Sequence, residues 1–318
     1  MSTNRYLLGS NGIVQYGVEG TPYTVASDPT TEFGFIQDEV EPPNPNPHTA
    51  MPTAGHDGPY VNSPDQKEYE FDVTTIPTNP DPPIETALGA RSALQENLDD
   101  GYEYYTFTEE RPLDTMTIRH VQEDADLVAY YTGCKSNLSI SASQDEPVEM
   151  DFSVTPAALE YDDTEAAPSV SASLPQDQSP YRFHMLGSVT LSNPADDSLI
   201  KEVATITDVD FSWDNGLEVN HHGQADAGDS EEGRDAYSVS EETNAERYDM
   251  SMDIKVEDAD LYTRAANNDA AVDIEVPFTR QSASGVITDG IIIRMSDCTI
   301  TDAPIPNNPE GSIDASVE

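Results

Sequence analysis

Glu123-Asp124-Ala125-Asp126-Leu127 recurs in the chain as Glu257-Asp258-Ala259-Asp260-Leu261. The likeness extends upstream. Asp99-Asp100-Gly101-Tyr102-Glu103-Tyr104-Tyr105-Thr106-Phe107-Thr108-Glu109-Glu110 aligns with Glu231-Glu232-Gly233-Arg234-Asp235-Ala236-Tyr237-Ser238-Val239-Ser240-Glu241-Glu242, and only Tyr102/Arg234 and Tyr104/Ala236 are unlike pairs. Between each run and its pentapeptide lies an alternating apolar stretch, with Met116 and Ile118 in the first copy and Tyr248, Met250, Met252, Ile254 and Val256 in the second. Alternation at period two is the signature of a half-buried strand. Matching flanks at nearly matching spacing point to an internal duplication, and so to two domains. Aspartate within the pentapeptide accepts backbone N–H groups and meets the positive end of a helix dipole, so each copy is expected to open a short helix.

Charge is the strongest compositional signal. Sixty-one acidic residues face 14 basic ones, a formal net charge of −47. A protein that coats phosphates would carry the opposite balance. The excess is spread through segments that also carry strand patterns, which separates it from an acidic disordered tail. It suits a folded surface bathed in concentrated salt, where the Debye length contracts to about 3 Å and carboxylate repulsion is screened. Only four lysines are present, Lys67, Lys135, Lys201 and Lys255, and the expected source is halophilic. Hydrophobic residues make up 36% of the chain, enough for folded sheets, while 24 prolines and 18 glycines imply many turns.

Walking the chain, Gly12 to Tyr23 reads as an extended opening. Residues 41–64 carry Pro42, Pro43, Pro45, Pro47, Pro52, Pro59 and Pro64 and read as a long polyproline-like loop that cannot form a central strand. Glu68 to Thr74 alternates as a strand, and Ile84 to Leu98 has helix-forming composition. Strands are expected near 104–108 and 114–121, then a hairpin of Gly133–Ser143 with Pro147–Val154. Residues 161–180, rich in Ala, Ser, Pro and Asp, read as a linker. Tyr181–Leu191, Val203–Trp213, Val272–Phe278 and Val286–Met295 are strand-like. Cys134 and Cys298 fall at equivalent positions of the two copies. The expected architecture is mainly β: a first domain over 1–160 that includes the loop 41–64, and a second over 181–318. Each is an antiparallel β-sandwich or barrel with one short α-helix.

No catalytic constellation emerges, so no catalytic, cofactor-binding or metal-binding residues are assigned and no cofactor is expected. Gly133-Cys134-Lys135-Ser136 lacks the earlier glycine of a phosphate loop, with Val128 in its place. His221-His222 sits in an acidic loop with no further soft ligand near it. Cys134 reads as a small core residue rather than a nucleophile. Two cysteines make no disulfide framework. The amino terminus carries no long apolar segment, and even Gly290-Ile-Ile-Ile-Arg-Met breaks at Arg294, so a soluble chain made in the cytoplasm, with no membrane partner, is expected.

The order of features resembles the major tail tube proteins of tailed double-stranded DNA viruses. The opening Gly12-Ile13-Val14-Gln15-Tyr16-Gly17-Val18-Glu19, the long loop, the run Gly133-Cys134-Lys135-Ser136-Asn137-Leu138-Ser139-Ile140-Ser141-Ala142-Ser143, and Glu257-Asp258-Ala259-Asp260-Leu261-Tyr262 leading into a helix and closing strands carry the resemblance. The resemblance implies a non-enzymatic virion tail protein that assembles with itself. Inner sheets join side by side into rings of six domains, and rings stack through the long loop. It implies passing viral DNA and a tape measure protein in the lumen, with other tail proteins as partners. Two domains per chain would let three chains close a ring, with a homohexamer as the alternative. Assembly contacts are expected at Pro43, Asn46, His48, Met51 and Tyr60 of the loop. Tyr248, Met250 and Met252 are expected to join them, on a strand whose edge ring closure would cover. Alternative readings are a β-sandwich adhesion module, extracellular or on the virion surface, and a tail terminator or baseplate ring protein.

Overall fold

The structure is a computed structural model. It describes the chain outside residues 1–11, 27–28, 38–39, 41–47, 53–58, 65–66, 80, 98–100, 123–125, 144–145, 163–179, 183–187, 204–205, 221–237, 242–247, 256–259, 268–270, 283, 285, 303–313 and 318. The chain runs through β1 (Gly12–Val18), β2 (Thr31–Glu32), β3 (Phe35–Ile36), β4 (His48–Pro52), β5 (Pro59–Pro64), β6 (Phe71–Ile76), α1 (Glu85–Leu88), β7 (Gly89–Arg91), β8 (Gln95–Asn97), β9 (Tyr102–Glu109), β10 (Met116–Gln122), β11 (Leu127–Ser143), β12 (Glu149–Thr155) and β13 (Ala158–Tyr161). There follow β14 (Val189–Ser192), β15 (Leu199–Val203), β16 (Ile206–Trp213), β17 (Leu217–Asn220), β18 (Ser238–Glu241), β19 (Tyr248–Lys255), α2 (Asp260–Asn267), β20 (Val272–Gln281), β21 (Ile287–Cys298) and β22 (Asp314–Val317).

Two sheets carry the fold. The larger has 11 strands, all antiparallel, and forms a half-barrel. Its spine is β11, a 17-residue strand whose first part pairs with β10 and β13 and whose second part pairs with β12 and β16. From β12 the sheet continues through β6 to β3, and from β16 through β19 to β22. The smaller sheet has seven strands in the order β15-β14-β20-β21-β9-β7, with β8 also on β9. It is mixed, because β21 and β9 run parallel. Strands from before and after residue 161 thus share both sheets. The apolar residues of the facing surfaces, among them Phe107, Met116, Ile118, Phe152, Phe211, Ile291 and Ile293, merge into one core.

Period-two burial explains most strands. In β6, Phe71 and Val73 are buried while Asp72 is exposed; in β20, Val272, Ile274, Val276 and Phe278 point inward. Between Ile84 and Leu98, where helical composition suggested one helix, α1 ends after a single turn. Gly89 stops it, with φ 105 and an oxygen of Glu110 only 1.8 Å from where a Cβ would stand. The following residues pair with β9 as β7 and β8.

The twin pentapeptides lead into different elements. Residues 123–125 lie outside the described residues, but Gln122 pairs with Leu127 across the β10–β11 hairpin, and Asp126 has φ 50. The chain after the first copy therefore runs straight into β11 from Leu127 and not into a helix. The second does open a helix, α2. The sequences that follow account for the difference: Val128-Ala129-Tyr130-Tyr131-Thr132 favours a strand, while Tyr262-Thr263-Arg264-Ala265-Ala266 tolerates a helix. Of the proline-rich stretch 41–64, the described residues form a separate two-stranded hairpin, β4 with β5, with prolines at its ends (His48 opposite Pro64, Pro52 opposite Pro59). Most of the expected linker, 163–179, and His221-His222 lie outside the described residues.

Candidate assembly interface and channel face

One face of the larger sheet gathers acidic and hydroxyl side chains from five strands. Across β6, β12, β11, β16 and β19 the residues on this face include Asp72 and Thr74; Glu149, Asp151 and Ser153; Asn137, Ser139, Ser141 and Ser143; Asp208, Asp210 and Ser212; and Asp249, Ser251 and Asp253. All but Asn137 are carboxylates or small hydroxyls, and Lys135 follows on the same side at the end of the β11–β12 pairing. The registers place them side by side, Thr74 opposite Asp151, Ser141 opposite both Glu149 and Asp210, and Asp208 opposite Asp253. Hydroxyls separate the charges: Thr74 donates to Asp151 (2.9 Å) and Ser143 to Asp208 (2.8 Å). Where carboxylates crowd, at Asp210, partial burial first and the neighbouring Asp208 and Asp253 second raise the carboxyl pKa. The alternate residues of the same strands, including Val73, Phe152, Ile140, Phe211 and Met252, are buried core.

The seam between the first and second parts of the chain crosses this sheet where β11 meets β16, from Leu138 opposite Trp213 to Ser143 opposite Asp208. A buried amide pins one end of it. Asn215 donates to the carbonyls of Ala87 (2.9 Å) and Ser136 (2.8 Å), and its oxygen accepts from Trp213 Nε1 (2.8 Å) and Arg111 (2.6 Å). Its backbone N–H donates to Asn137 (2.8 Å). On the outer side, Lys135 pairs with Glu241, and the Leu113 N–H also reaches Glu241. The Tyr23 hydroxyl meets the backbone of Val239. The β17–β18 hairpin is thereby laid over the first part of β11. At the other end of the smaller sheet, buried Arg280 pairs with Asp289 and donates to the Thr78 carbonyl, while the Tyr181 hydroxyl donates to Asp289 (2.5 Å).

Of the residues expected at assembly contacts, Tyr248, Met250 and Met252 lie on β19, which has β16 on one side and β22 on the other. Their side chains are on the core face. Met252 is buried, Met250 packs against the core, and the Tyr248 ring stacks on Trp213 with centroids 4.9 Å apart. His48, Met51 and Tyr60 fall in the β4–β5 hairpin; Pro43 and Asn46 lie outside the described residues. Sequence reasoning missed the acidic face, although its signal is present in the chain: every strand concerned alternates apolar residues with Asp, Glu, Ser or Thr.

The described residues hold no group of three His, Cys, Asp or Glu side chains placed to bind a metal, and no helix long and apolar enough to cross a membrane. Burial pushes the Cys134 thiol well above its ordinary range and the Cys298 thiol up to about 11, which leaves both as poor nucleophiles at neutral pH.

A half-barrel sheet with one apolar face and one face rich in carboxylates and hydroxyls defines a mainly β structural building block. A sequence profile described as phage tail tube protein matches residues 9–318, and the chain belongs to that family. It is accordingly a non-enzymatic component of the virion tail that assembles with itself into the tail tube. No curated protein matches the chain.

Proposed function

We propose that one chain contributes two pseudo-equivalent units to the tube wall, so that three chains close a ring of pseudo-sixfold symmetry and rings stack into the conduit. The observation that carries this reading is a repeated set of strand pairings. In the first unit β1 pairs with β2 and β10, β10 with β11, and β6 with β3 and β12. In the second, β14 pairs with β15 and β20, β20 with β21, and β19 with β16 and β22. Each unit also has a two-stranded hairpin, β4–β5 between β3 and β6 in the first and β17–β18 between β16 and β19 in the second. The units correspond to the regions 1–160 and 181–318, joined through 161–180. The phase of the repeat follows Cys134 and Cys298 rather than the pentapeptides.

In this reading the acidic, hydroxyl-rich face lines the lumen. DNA moving past carboxylates is repelled rather than held, and small side chains leave a smooth wall. A tape measure protein would occupy the same bore before DNA does. The edge at β3, the counterpart of β16, is where the sheet of a neighbouring chain joins, with Pro43, Asn46, His48, Met51 and Tyr60 contributing contacts from the hairpin region and Tyr248, Met250 and Met252 bracing the wall from the core. Other tail proteins cap the stack, and assembly takes place in the host cytoplasm. The net charge of −47 supports a virus of a halophilic archaeon.

The test is the mass of the smallest assembly in molar salt. Three chains per particle are expected, with stacked rings in negative-stain images. A six-chain ring overturns the two-unit stoichiometry, and persistent monomers at all salt and protein concentrations overturn the tube reading as a whole.

A further inference from the structure

The two cysteine-containing bulges have the same backbone and opposite exposure. Cys134 pairs with Met116 and Tyr131 with Ile118; likewise Cys298 pairs with Val272 and Met295 with Ile274, each with a register shift between. The residue before each cysteine has positive φ, 63 at Gly133 and 57 at Asp297. A carboxylate accepts each of these N–H groups, Glu19 from Gly133 (2.8 Å) and Asp273 from Asp297 (3.0 Å). Yet all residues from Tyr131 to Ser136 are buried, whereas Ser296, Asp297, Thr299, Thr301 and Asp302 are exposed.

Part of the cover over the first bulge comes from the second unit's hairpin, through Glu241 on Lys135 and Leu113 and through Val239 on Tyr23. That hairpin directly follows β16, the strand that joins the second unit to the first. The counterpart of β16 is β3, and the hairpin that follows β3 is β4–β5. Among the described residues it is hydrogen-bonded to no other strand. The unit that precedes the first one in a ring is the second unit of another chain.

We propose that the bare bulge surface Ser296–Asp302 of one chain seats the β4–β5 hairpin of a neighbouring copy in the same ring, as the first bulge seats β17–β18. This rests on the two-unit ring described above. Thr299 stands at the position of Lys135, so the contact between chains lacks the buried ion pair found within the chain. It closes on backbone and hydroxyl groups and separates more readily.

The test uses the full chain with the photoreactive residue p-benzoylphenylalanine at Thr299, an exposed position, assembled in molar salt from a mixture of unlabelled and 15N-labelled protein. Mass spectrometry is expected to find mixed-label cross-links between position 299 and peptides within 48–64. A second variant replaces 48–64 with a Gly/Ser linker of equal length; it is expected to keep the unfolding transition of the parent and lose ring formation. Rings that cross-link elsewhere, or through 48–64 of the same chain, overturn the seating while leaving the tube reading intact. Rings that persist without the hairpin do the same. Failure of the parent chain to form rings overturns both.

Discussion

Gly133 and Asp297, each immediately before a buried cysteine, hold the same left-handed backbone conformation, with φ 63 and φ 57. Glycine enters that region freely, and aspartate is among the few other residues that tolerate it.

The two positions will respond oppositely to substitution. A Cβ at Gly133 would stand 2.3 Å from the Tyr23 ring and 3.0 Å from Ala157, and would also carry the left-handed penalty. Gly133→Ala is expected to destabilise the chain by roughly 2 kcal/mol or more. Asp297→Gly relieves the same backbone and is expected to stay within about 1 kcal/mol of the parent. Denaturant unfolding of the two variants in molar salt measures both; equal losses would refute the argument.

Asn215→Ala is expected to cost about 3 kcal/mol or more, because it strands the buried Trp213 Nε1 and the Ala87 and Ser136 carbonyls at the seam. The loss should appear in thermal unfolding, with a change in Trp213 fluorescence, since this is the sole tryptophan of the chain.

Glu85 supplies a pH dependence. Burial raises its carboxyl to about 7, with Arg91 opposing the shift and Asp81 and Asp114 adding to it. The folded value lies above the unfolded one, so the native state holds the proton more tightly. Its contribution is fully present below about pH 4.5 and is lost as pH rises through about 7. Glu85→Gln should flatten the melting temperature between pH 5 and 8 relative to the parent; parallel profiles would exclude Glu85 as the source.

Low ionic strength should weaken the assembly before it unfolds the chain. Repulsion among the sheet carboxylates, from Asp72 to Asp253, lengthens in range as the Debye length grows from about 3 Å in molar salt to about 30 Å at 0.01 M. Sedimentation across a salt series is expected to show rings giving way to single chains, with the circular dichroism of the sheets retained. Salt-independent rings would contradict this.

Both thiols should resist alkylation in the folded single chain, Cys134 more than Cys298, since Cys134 is wholly enclosed and Cys298 keeps 8% of its surface. Timed iodoacetamide labelling with peptide mapping reads the order, and faster reaction at Cys134 would contradict the packing.

The sequence by itself determined the strand content, the near absence of long helices and the net charge, whereas the stop of α1 at Gly89 emerged only with the packing of Glu110 against it. The former rest on local periods and on residue chemistry, which do not depend on distant partners. Tertiary structure alone decided that the first pentapeptide leads into strand β11 while the second leads into helix α2, because a five-residue run is steered by what its flanks pack against. It alone decided that β9 lies parallel to β21 and β11 antiparallel to β16, pairings between residues more than a hundred and about seventy positions apart, for which the chain carries no local signal. The acidic face has the same origin: Asp and Ser alternate in each strand, but only the register of five strands gathers them onto one wall.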